Sequence, residues 1–355
     1  MSQKTVHVVG TGTIGEPLIG LLSDFRRDLG IDEVTFSKKQ ALLVDRSKVT
    51  ALIRRGARLC AEKESREAFK KIGLETSYSL DEAFERASVI VDCTPVGNQN
   101  KVQYYEKYIP TTLGFIAQGS EFGFGKMYAR GINDEALVKG KEKFLQVVSC
   151  NTHNLSVLVK TVAMNNGQEM DGLDSARFVC IRRANDLSQE NDFIPAHQVN
   201  RHKDARFGTH HARDAHELFK TLNLDVNLFS SAIKTNTQYM HTVWFNLKLK
   251  KPVTKDEVMR RLKACDRIAL THKNSSNMVF SFGRDHGHFG RILNESVVVE
   301  ATVEVFNERE VVGWSFTPQD GNSLLSSVAA TEFFLYPEDY NNKIQCLKPF
   351  FFSEV

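Results

Sequence analysis

Val6-His-Val-Val9 is a short apolar strand that runs straight into Gly10-Thr-Gly12-Thr-Ile-Gly15. Beyond it, Ile14, Leu18, Leu21 and Leu22 fall on one side of a helix. A G-x-G-x-x-G run in this strand, turn and helix setting is a dinucleotide fingerprint with a mechanism behind each glycine. Gly10 permits the tight turn, Gly12 lets the backbone approach a pyrophosphate, and Gly15 lets the helix pack on the strand. The phosphates then lie on the helix N-terminus, where unpaired N–H groups point outward. The chain is thereby committed to an N-terminal Rossmann-type parallel sheet.

The next 130 residues read as further α/β alternation. Val34-Thr-Phe36 is a second strand, and it ends in Ser37-Lys38-Lys39. An NAD site places an acid near this point for the ribose 2′-hydroxyl. Here Asp32 and Glu33 precede the strand and Asp45 comes well after it, whereas Lys38, Lys39 and Ser37 suit a 2′-phosphate. NADP is therefore favoured over NAD as cofactor. Helical runs through Val49, Leu52 and Ile53 and through Ala68 and Phe69 close at Gly56 and Gly73. Ser79-Leu-Asp-Glu82 has the capping-box spacing. Residues 87–94 form a nearly continuous apolar strand ending at Thr94-Pro95, and residues 113–117 form another ending at Gln118-Gly119. Buried parallel strands read this way, and their C-terminal ends line the ligand crevice.

An apolar strand over 144–148 then stops at Ser149-Cys150-Asn151-Thr152, and helical spacing begins with Leu155, Leu158, Val159 and Val162. Cys150 is thus expected at a strand-to-helix turn, beside an N-cap supplied by Asn151 or Thr152. Helix-start N–H groups and the helix dipole favour a thiolate there, and the same N–H groups can hold an oxyanion. The alternative is a small buried hydrophobe, the commonest use of cysteine.

Past residue 150 the strands lengthen and alternate, over 176–182, 243–249, 277–282 and 296–306, with a helix over 255–264. This is an α+β pattern on a mostly antiparallel sheet. The expected organisation is an NAD(P)-binding Rossmann domain over 1–148 and a catalytic domain over 149–318. A helix over 323–335, within about 320–338, returns to the first domain. Arg182-Arg183 ends an apolar strand, and paired guanidinium forks suit a phosphate or simply a surface. His210-His211 is read as part of a Gly-Thr-His-His-Ala-Arg-Asp turn that contacts phosphate or substrate, or is a polar loop. With His197, His202 and His216 nearby, a metal cluster is an alternative, but the spacing matches no ligand pattern, so no metal is expected. His241, just before an apolar strand, is compatible with a hydrogen-bonded structural residue.

Composition excludes several function classes. A net charge of +3 over 355 residues gives no global affinity for nucleic acid. Clusters such as Arg54-Arg55 and the lysines at 248, 250 and 251 read as solvated faces. Six scattered cysteines without a C-x-x-C pair disfavour a zinc ribbon or disulfide framework and fit a reducing, cytoplasmic setting. No secretory signal is recognised, and no apolar run approaches the ~20 residues that span a bilayer.

Taken in order, Gly10 to Gly15, Ser37-Lys38, Val91-Asp-Cys-Thr-Pro95 with Gly97, Gln118-Gly119 and Val147-Val-Ser-Cys-Asn-Thr152 resemble the archaeal-type, or type II, phosphorylating glyceraldehyde-3-phosphate dehydrogenases. Arg182-Arg183-Ala184, His210-His211 with Asp214, Met240-His241 and Gln319 continue the resemblance over essentially the whole chain. It implies Cys150 as nucleophile and His241 as its general base. Ser149, Asn151, Thr152, Arg182, Arg183, His210 and His211 would surround the substrate and its phosphates. Thr13, Ile14, Lys38, Thr94, Gln118, Gly119 and Gln319 would fall on the cofactor. The reaction implied is oxidation of glyceraldehyde 3-phosphate with inorganic phosphate to 1,3-bisphosphoglycerate, through a thiohemiacetal and a thioester, in glycolysis or gluconeogenesis. A cytoplasmic homotetramer is implied as well. The chain departs from the family at His153-Asn154, where Thr-Gly is usual, and at Ala212-Arg213, where Gly-Pro is usual. Competing readings are a semialdehyde dehydrogenase or acyl-phosphate reductase, and a catalytically silent nucleotide-binding regulator.

Overall fold

The computed structural model describes residues 3–119, 121–186, 189–190, 193–318 and 320–355. The chain divides into two compact units. The first comprises Met1–Lys126, Leu137–Val147 and Leu324–Lys348; the second comprises Met127–Ala136, Val148–Ser323 and Pro349–Val355.

The first unit is built on β1 (Thr5–Val9), β2 (Glu33–Ser37), β3 (Arg58–Ala61), β4 (Tyr78–Ser79), β5 (Val89–Asp92) and β6 (Gly114–Gln118). A short strand, β7 (Lys126–Tyr128), begins here, and β8 (Phe144–Val147) closes the run. The order β4-β3-β2-β1-β5-β6-β8 is parallel throughout. Val6, Val8, Val34, Phe36 and Val89 to Val91 are buried on both faces, which is why these strands are apolar without alternation. The order reverses beside β1, so a crevice opens at the carboxyl ends of β1 and β5. The capping box forms in both directions, Ser79 Oγ accepting from the Glu82 N–H while Glu82 accepts from the Ser79 N–H. Residues 324–335 of the helix Gly321–Leu335 pack on β6, where a Cβ at Gly114 would meet the Phe334 ring at 2.4 Å.

The second unit carries β9 (Leu173–Arg182), β10 (Gln198–Val199), β11 (Leu228–Lys234), β12 (His241–Leu249), β13 (Ile268–Thr271), β14 (Ser296–Val299), β15 (Glu304–Phe306) and β16 (Glu310–Thr317). They run β10-β11-β9-β12-β16-β14-β13, with β15 on β16. Among the described residues, only the β11/β9 and β13/β14 strand pairs of this sheet are parallel. Alternation decides the faces. On β12, Val243, Phe245, Leu247 and Leu249 point into a core shared with the helices Cys150–Leu158, His210–Lys220 and Lys255–Lys263.

Two strand expectations fail. Residues 277–282 lie in a helix, Ser276–His286, whose buried Val279 and Gly283 are one turn apart. Six residues of apolar alternation cannot distinguish period 2 from period 3.6, and the polar Arg284-Asp285-His286 completes the helix. The 296–306 strand is interrupted by a 3-10 turn at Glu300–Thr302. No helix among the described residues is long and apolar enough to cross a membrane.

Candidate active site

In the first unit a cavity of about 710 Å³ opens at the carboxyl ends of the strands, lined among others by Gly10, Gly12, Ser37, Lys38, Lys48 and Thr94. Gly10 has φ +93°, a left-handed backbone suited to glycine. A Cβ at Gly15 would lie 2.1 Å from the Gly10 carbonyl oxygen, so helix and turn meet only through glycine. At Gly12 a Cβ would touch nothing within 4 Å, which leaves an open backbone cradle. The phosphates of a dinucleotide fit that cradle. Ile14 is the N-cap residue of the helix Gly15–Asp24, and Thr13 precedes it.

At the far end of the cavity Lys38 Nζ lies 2.6 Å from Asp45 and Lys48 Nζ 2.7 Å from the same carboxylate. Burial alone would raise the Asp45 carboxyl, but hydrogen bonds from the two lysines hold it below its ordinary value. Two cations share one anion, so the end of β2 keeps a net positive charge. Thr94 is aimed by buried Asp92, whose Oδ1 accepts from the Thr94 N–H (2.8 Å) and hydroxyl (2.6 Å). The other oxygen of Asp92 accepts from Asn100 (2.8 Å) and Tyr105 (2.5 Å). Gln118 and Gly119 close β6 outside this lining; the Gln118 amide donates to Ser327 Oγ at 2.8 Å, and the Gly119 carbonyl accepts from Gln146 at 3.1 Å. Gln319 lies outside the described residues.

In the second unit Cys150 is the first residue of the helix Cys150–Leu158. The N-cap is Ser149, not Asn151 or Thr152: its backbone is extended (φ −67°, ψ 159°) and its Oγ accepts from the Thr152 N–H. Ser149 and Thr152 also share a hydroxyl hydrogen bond of 2.9 Å. Every residue from Asn151 to Leu158 is buried, so the helix is fixed on all sides. Asn322 Nδ2 donates to the Cys150 carbonyl at 2.9 Å, and Thr317 Oγ1 donates to Asn151 Oδ1 at 2.9 Å. The two unusual residues are structural ties. His153 Nδ1 donates to the Ser149 carbonyl at 3.0 Å, and Asn154 bridges Thr317 Oγ1 (2.8 Å) and Ser315 Oγ (3.2 Å) on β16.

The expected depression of the Cys150 thiol is reversed. Burial pushes it up to about 12, Asp320 and Asp186 add to the rise, and Arg183 and the Asn151 N–H act against them. Ser149 has already consumed the Thr152 N–H, which leaves fewer donors at the helix start for a thiolate.

Arg183 connects the parts of this site. Its backbone N–H donates to His241 Nδ1 at 3.1 Å, and its Nη2 lies 2.7 Å from Asp186 and 3.5 Å from Asp320. With Nδ1 accepting, the neutral His241 ring carries its proton on Nε2 and presents a donor. Burial, then Arg183 and Arg182, hold His241 well below its ordinary pKa. This geometry runs against the general-base role, because the free ring nitrogen already holds a proton.

Arg182, at the end of β9, has a buried Nε without a hydrogen-bond partner. His210 and His211 open the helix His210–Lys220 instead of lying in a turn, because Thr209 is the extended cap residue before them. Their rings are 4.0 Å apart. His211 Nδ1 is 3.5 Å from Ser149 Oγ, and its Nε2 is buried and unpartnered. Burial, then Arg182, Arg213 and Lys203, bring His210 down to about 4. Ala212 donates its N–H to Ser230 Oγ at 3.1 Å, and Arg213 pairs with buried Asp214 at 2.8 Å. Among the described residues no group of three or more His, Cys, Asp or Glu is placed to hold a metal. The Arg182 guanidinium beside neutral histidines, with buried, unanswered nitrogens on Arg182 and His211, suits a phosphate.

Sequence reasoning overlooked Thr317, Asp320 and Asn322. The available signal was the run Pro318-Gln-Asp-Gly-Asn322, a cluster of turn-forming residues directly after a strand.

No protein-family model matches the chain. It is similar to archaeal proteins named glyceraldehyde-3-phosphate dehydrogenase. With that of Pyrobaculum islandicum it is 25% identical over 315 residues, 84% of this chain and 83% of that protein. With that of Hyperthermus butylicus the identity is 28% over 305 residues, 84% and 82% of the two chains. With that of Archaeoglobus fulgidus it is 26% over 299 residues, 80% and 79%.

Proposed function

We propose that the chain is a phosphorylating, cysteine-dependent dehydrogenase of glyceraldehyde 3-phosphate that favours NADP over NAD and acts as a homotetramer in glycolysis or gluconeogenesis. The carrying observation is a helix-start cysteine in the same unit as Arg182, His210 and His211, where the buried Arg182 Nε and His211 Nε2 lack partners. The archaeal relatives' names point the same way. The cluster favours a phosphorylated aldehyde over the substrate of a semialdehyde dehydrogenase. His153 and Asn154 hold the helix in place, so the feature that favoured a silent regulator has a structural explanation.

The chemistry follows from the side chains. The Cys150 thiol gives its proton to water as its sulfur adds to the aldehyde carbon, forming a thiohemiacetal oxyanion. The Asn151 N–H and the Nε2–H of His241 are the donors available to an oxyanion. Gly10, Gly12, Lys38 and Thr94 would hold a nicotinamide dinucleotide, which supplies the hydride acceptor and so permits a thioester on Cys150. Arg182, His210 and His211 hold inorganic phosphate against the acyl carbon. Phosphate oxygen bonds to that carbon, the C–S bond breaks, and the acyl phosphate leaves as the thiolate returns. A thioester is required because hydride removal alone gives no activated acyl group for phosphate to attack.

The test is reduction of each cofactor by glyceraldehyde 3-phosphate, with and without phosphate. Phosphate-dependent reduction is the expected result. Cys150→Ser should abolish it and leave cofactor binding nearly unchanged. His241→Gln, which keeps an N–H donor but no titratable ring, should retain measurable turnover. Substantial activity in Cys150→Ser, or cofactor binding without any aldehyde-dependent reduction in the unaltered protein, would sink the reading.

A further inference from the structure

We propose that His7 is a positioning residue of the nucleotide site: from within the sheet it donates its Nε2–H to Ser37 Oγ and leaves the Ser37 hydroxyl proton to an anionic group on the cofactor ribose. The inference deepens the reading of the chain as NADP-preferring and rests on it. His7, on β1, stands opposite Thr35 on β2, and Ser37 comes two residues further along the same face. His7 Nδ1 lies 2.8 Å from Thr35 Oγ1, and Nε2 lies 3.1 Å from Ser37 Oγ. His7 and Thr35 are wholly buried, and the Phe84 ring meets the imidazole edge-on with centroids 5.3 Å apart. A strand buried on both faces is ordinarily filled by aliphatic residues, as at Val6, Val8 and Ile90 beside it. A histidine here must recover its desolvation cost through these two hydrogen bonds.

Donor accounting fixes the direction of both bonds. Burial drives the ring pKa down to about 3, so the ring is neutral and shares one N–H and one lone pair between two hydroxyls. Among the described residues Thr35 Oγ1 has no other hydrogen-bond partner, and a hydroxyl proton left unanswered in a dry interior is costly. Thr35 therefore donates to Nδ1, the ring proton sits on Nε2, and Ser37 Oγ accepts it. Ser37 can spare its own proton because it lines the cavity at the carboxyl ends of the strands, together with Lys38 and Lys48. Its backbone is pinned as well, since its carbonyl accepts from the Gly10 N–H at 3.0 Å. The opposite tautomer would make Ser37 donate inward and offer the cavity only lone pairs. A phosphate dianion has no proton to give those lone pairs, whereas a ribose hydroxyl has one. The tautomer thus decides which ribose substituent Ser37 answers, and a donor there suits a 2′-phosphate.

The experiment is calorimetric titration of the full chain with adenosine 2′,5′-bisphosphate and with adenosine 5′-monophosphate, which differ only in the 2′-phosphate. The parent should bind the bisphosphate more tightly. His7→Val, which supplies an ordinary residue for a buried strand, should raise the Kd of the bisphosphate roughly three- to tenfold and leave that of the monophosphate unchanged. Ser37→Ala should do the same. The double variant should be no weaker than either single one, because without Ser37 there is no hydroxyl to aim. His7→Gln, whose amide offers an acceptor to Thr35 and a donor to Ser37, should stay near the parent. Equal weakening of both ligands, the mark of a merely structural histidine, would overturn the assignment. So would additive losses in the double variant, or a His7→Gln as weak as His7→Val. If His7→Val does not fold, His7→Gln and Ser37→Ala decide: retained preference in the first with selective loss in the second supports the proposal, and any other pattern contradicts it. A parent protein with no preference for the bisphosphate would refute the NADP reading itself, before any variant is compared.

Discussion

Lys38 illustrates how a single side chain can be read too simply. At the end of β2 it lines the nucleotide cavity, but Asp45 already holds its ammonium at 2.6 Å and also binds Lys48. A 2′-phosphate arriving there would share two lysines with one carboxylate, so its gain is smaller than that of meeting free cations. Hydrogen bonds to charged groups contribute about 1.5–3 kcal/mol. With Asp45 competing, the lower end applies, about tenfold in affinity. Lys38→Ala should therefore raise the KM for NADP about tenfold and that for NAD much less. Asp45→Asn should act the other way by releasing both lysines, lowering the KM for NADP. Parallel initial-rate measurements with the two cofactors check this, and equal effects on both would show that Lys38 does not read the 2′ position.

At the scale of elements, the second sheet has one face turned to helices and one that is not fully covered. Trp244 on β12 pairs across the strands with Trp314 on β16 and with Val179 on β9, and Ile181 pairs with Ile233 on β11. All five are only partly buried, although Phe178, Cys180, Ala232, Val243, Phe245, Gly313 and Ser315 beside them on the other face are buried. An apolar centre on an open sheet is a surface for association, and a second copy of the same face would bury both tryptophans. If the proposed tetramer assembles through it, Trp244→Glu should lower the mass seen by sedimentation, because a desolvated carboxylate there has no counter-ion. A tetramer that survives the change would place assembly elsewhere. The same elements show what sequence can reveal. The parallel strands, the glycine turn and the strand-to-helix step at Cys150 were legible because each rests on local periodicity or on a backbone demand. The helix Ser276–His286 was not, since its six-residue apolar core fits either period. Nor was the choice of Ser149 as cap, with three polar residues competing at one turn. The contact of Asp320 with Arg183 was beyond reach because it depends on β16 and β9 delivering both to one place, a non-local fact.

For the whole chain, buried ionisable groups set a pH optimum for stability whose sign can be worked out. Burial drives His7 down to about 3 and His153 down to about 4, from an ordinary 6.5. The unfolded chain binds protons at these positions below 6.5 while the folded one does not, so stability falls with acid until the folded values are reached. His211 and His241 are depressed as well and strengthen the effect. Two carboxyls act oppositely. Burial pushes Glu295 and Glu332 up to about 8, from 4.5, and the oxygens of Glu295 have no hydrogen-bond partner. Here the folded state keeps the proton that the unfolded state loses, so stability falls as pH rises from 4.5 to about 8. Between 4.5 and 6.5 the two classes oppose each other, and the more numerous histidines prevail. Above 6.5 only the carboxyls remain. Thermal unfolding should therefore show its highest midpoint near about pH 6.5 and decline toward both about 8 and about 4.5. Glu295→Gln, which needs no deprotonation, should flatten the alkaline side and steepen the acid side between about pH 4.5 and 6.5. A midpoint that climbs between about pH 6.5 and 8 would mean that these carboxyls ionise in the folded protein, through hydration or through closer approach of Arg267, now 3.7 Å from Glu295.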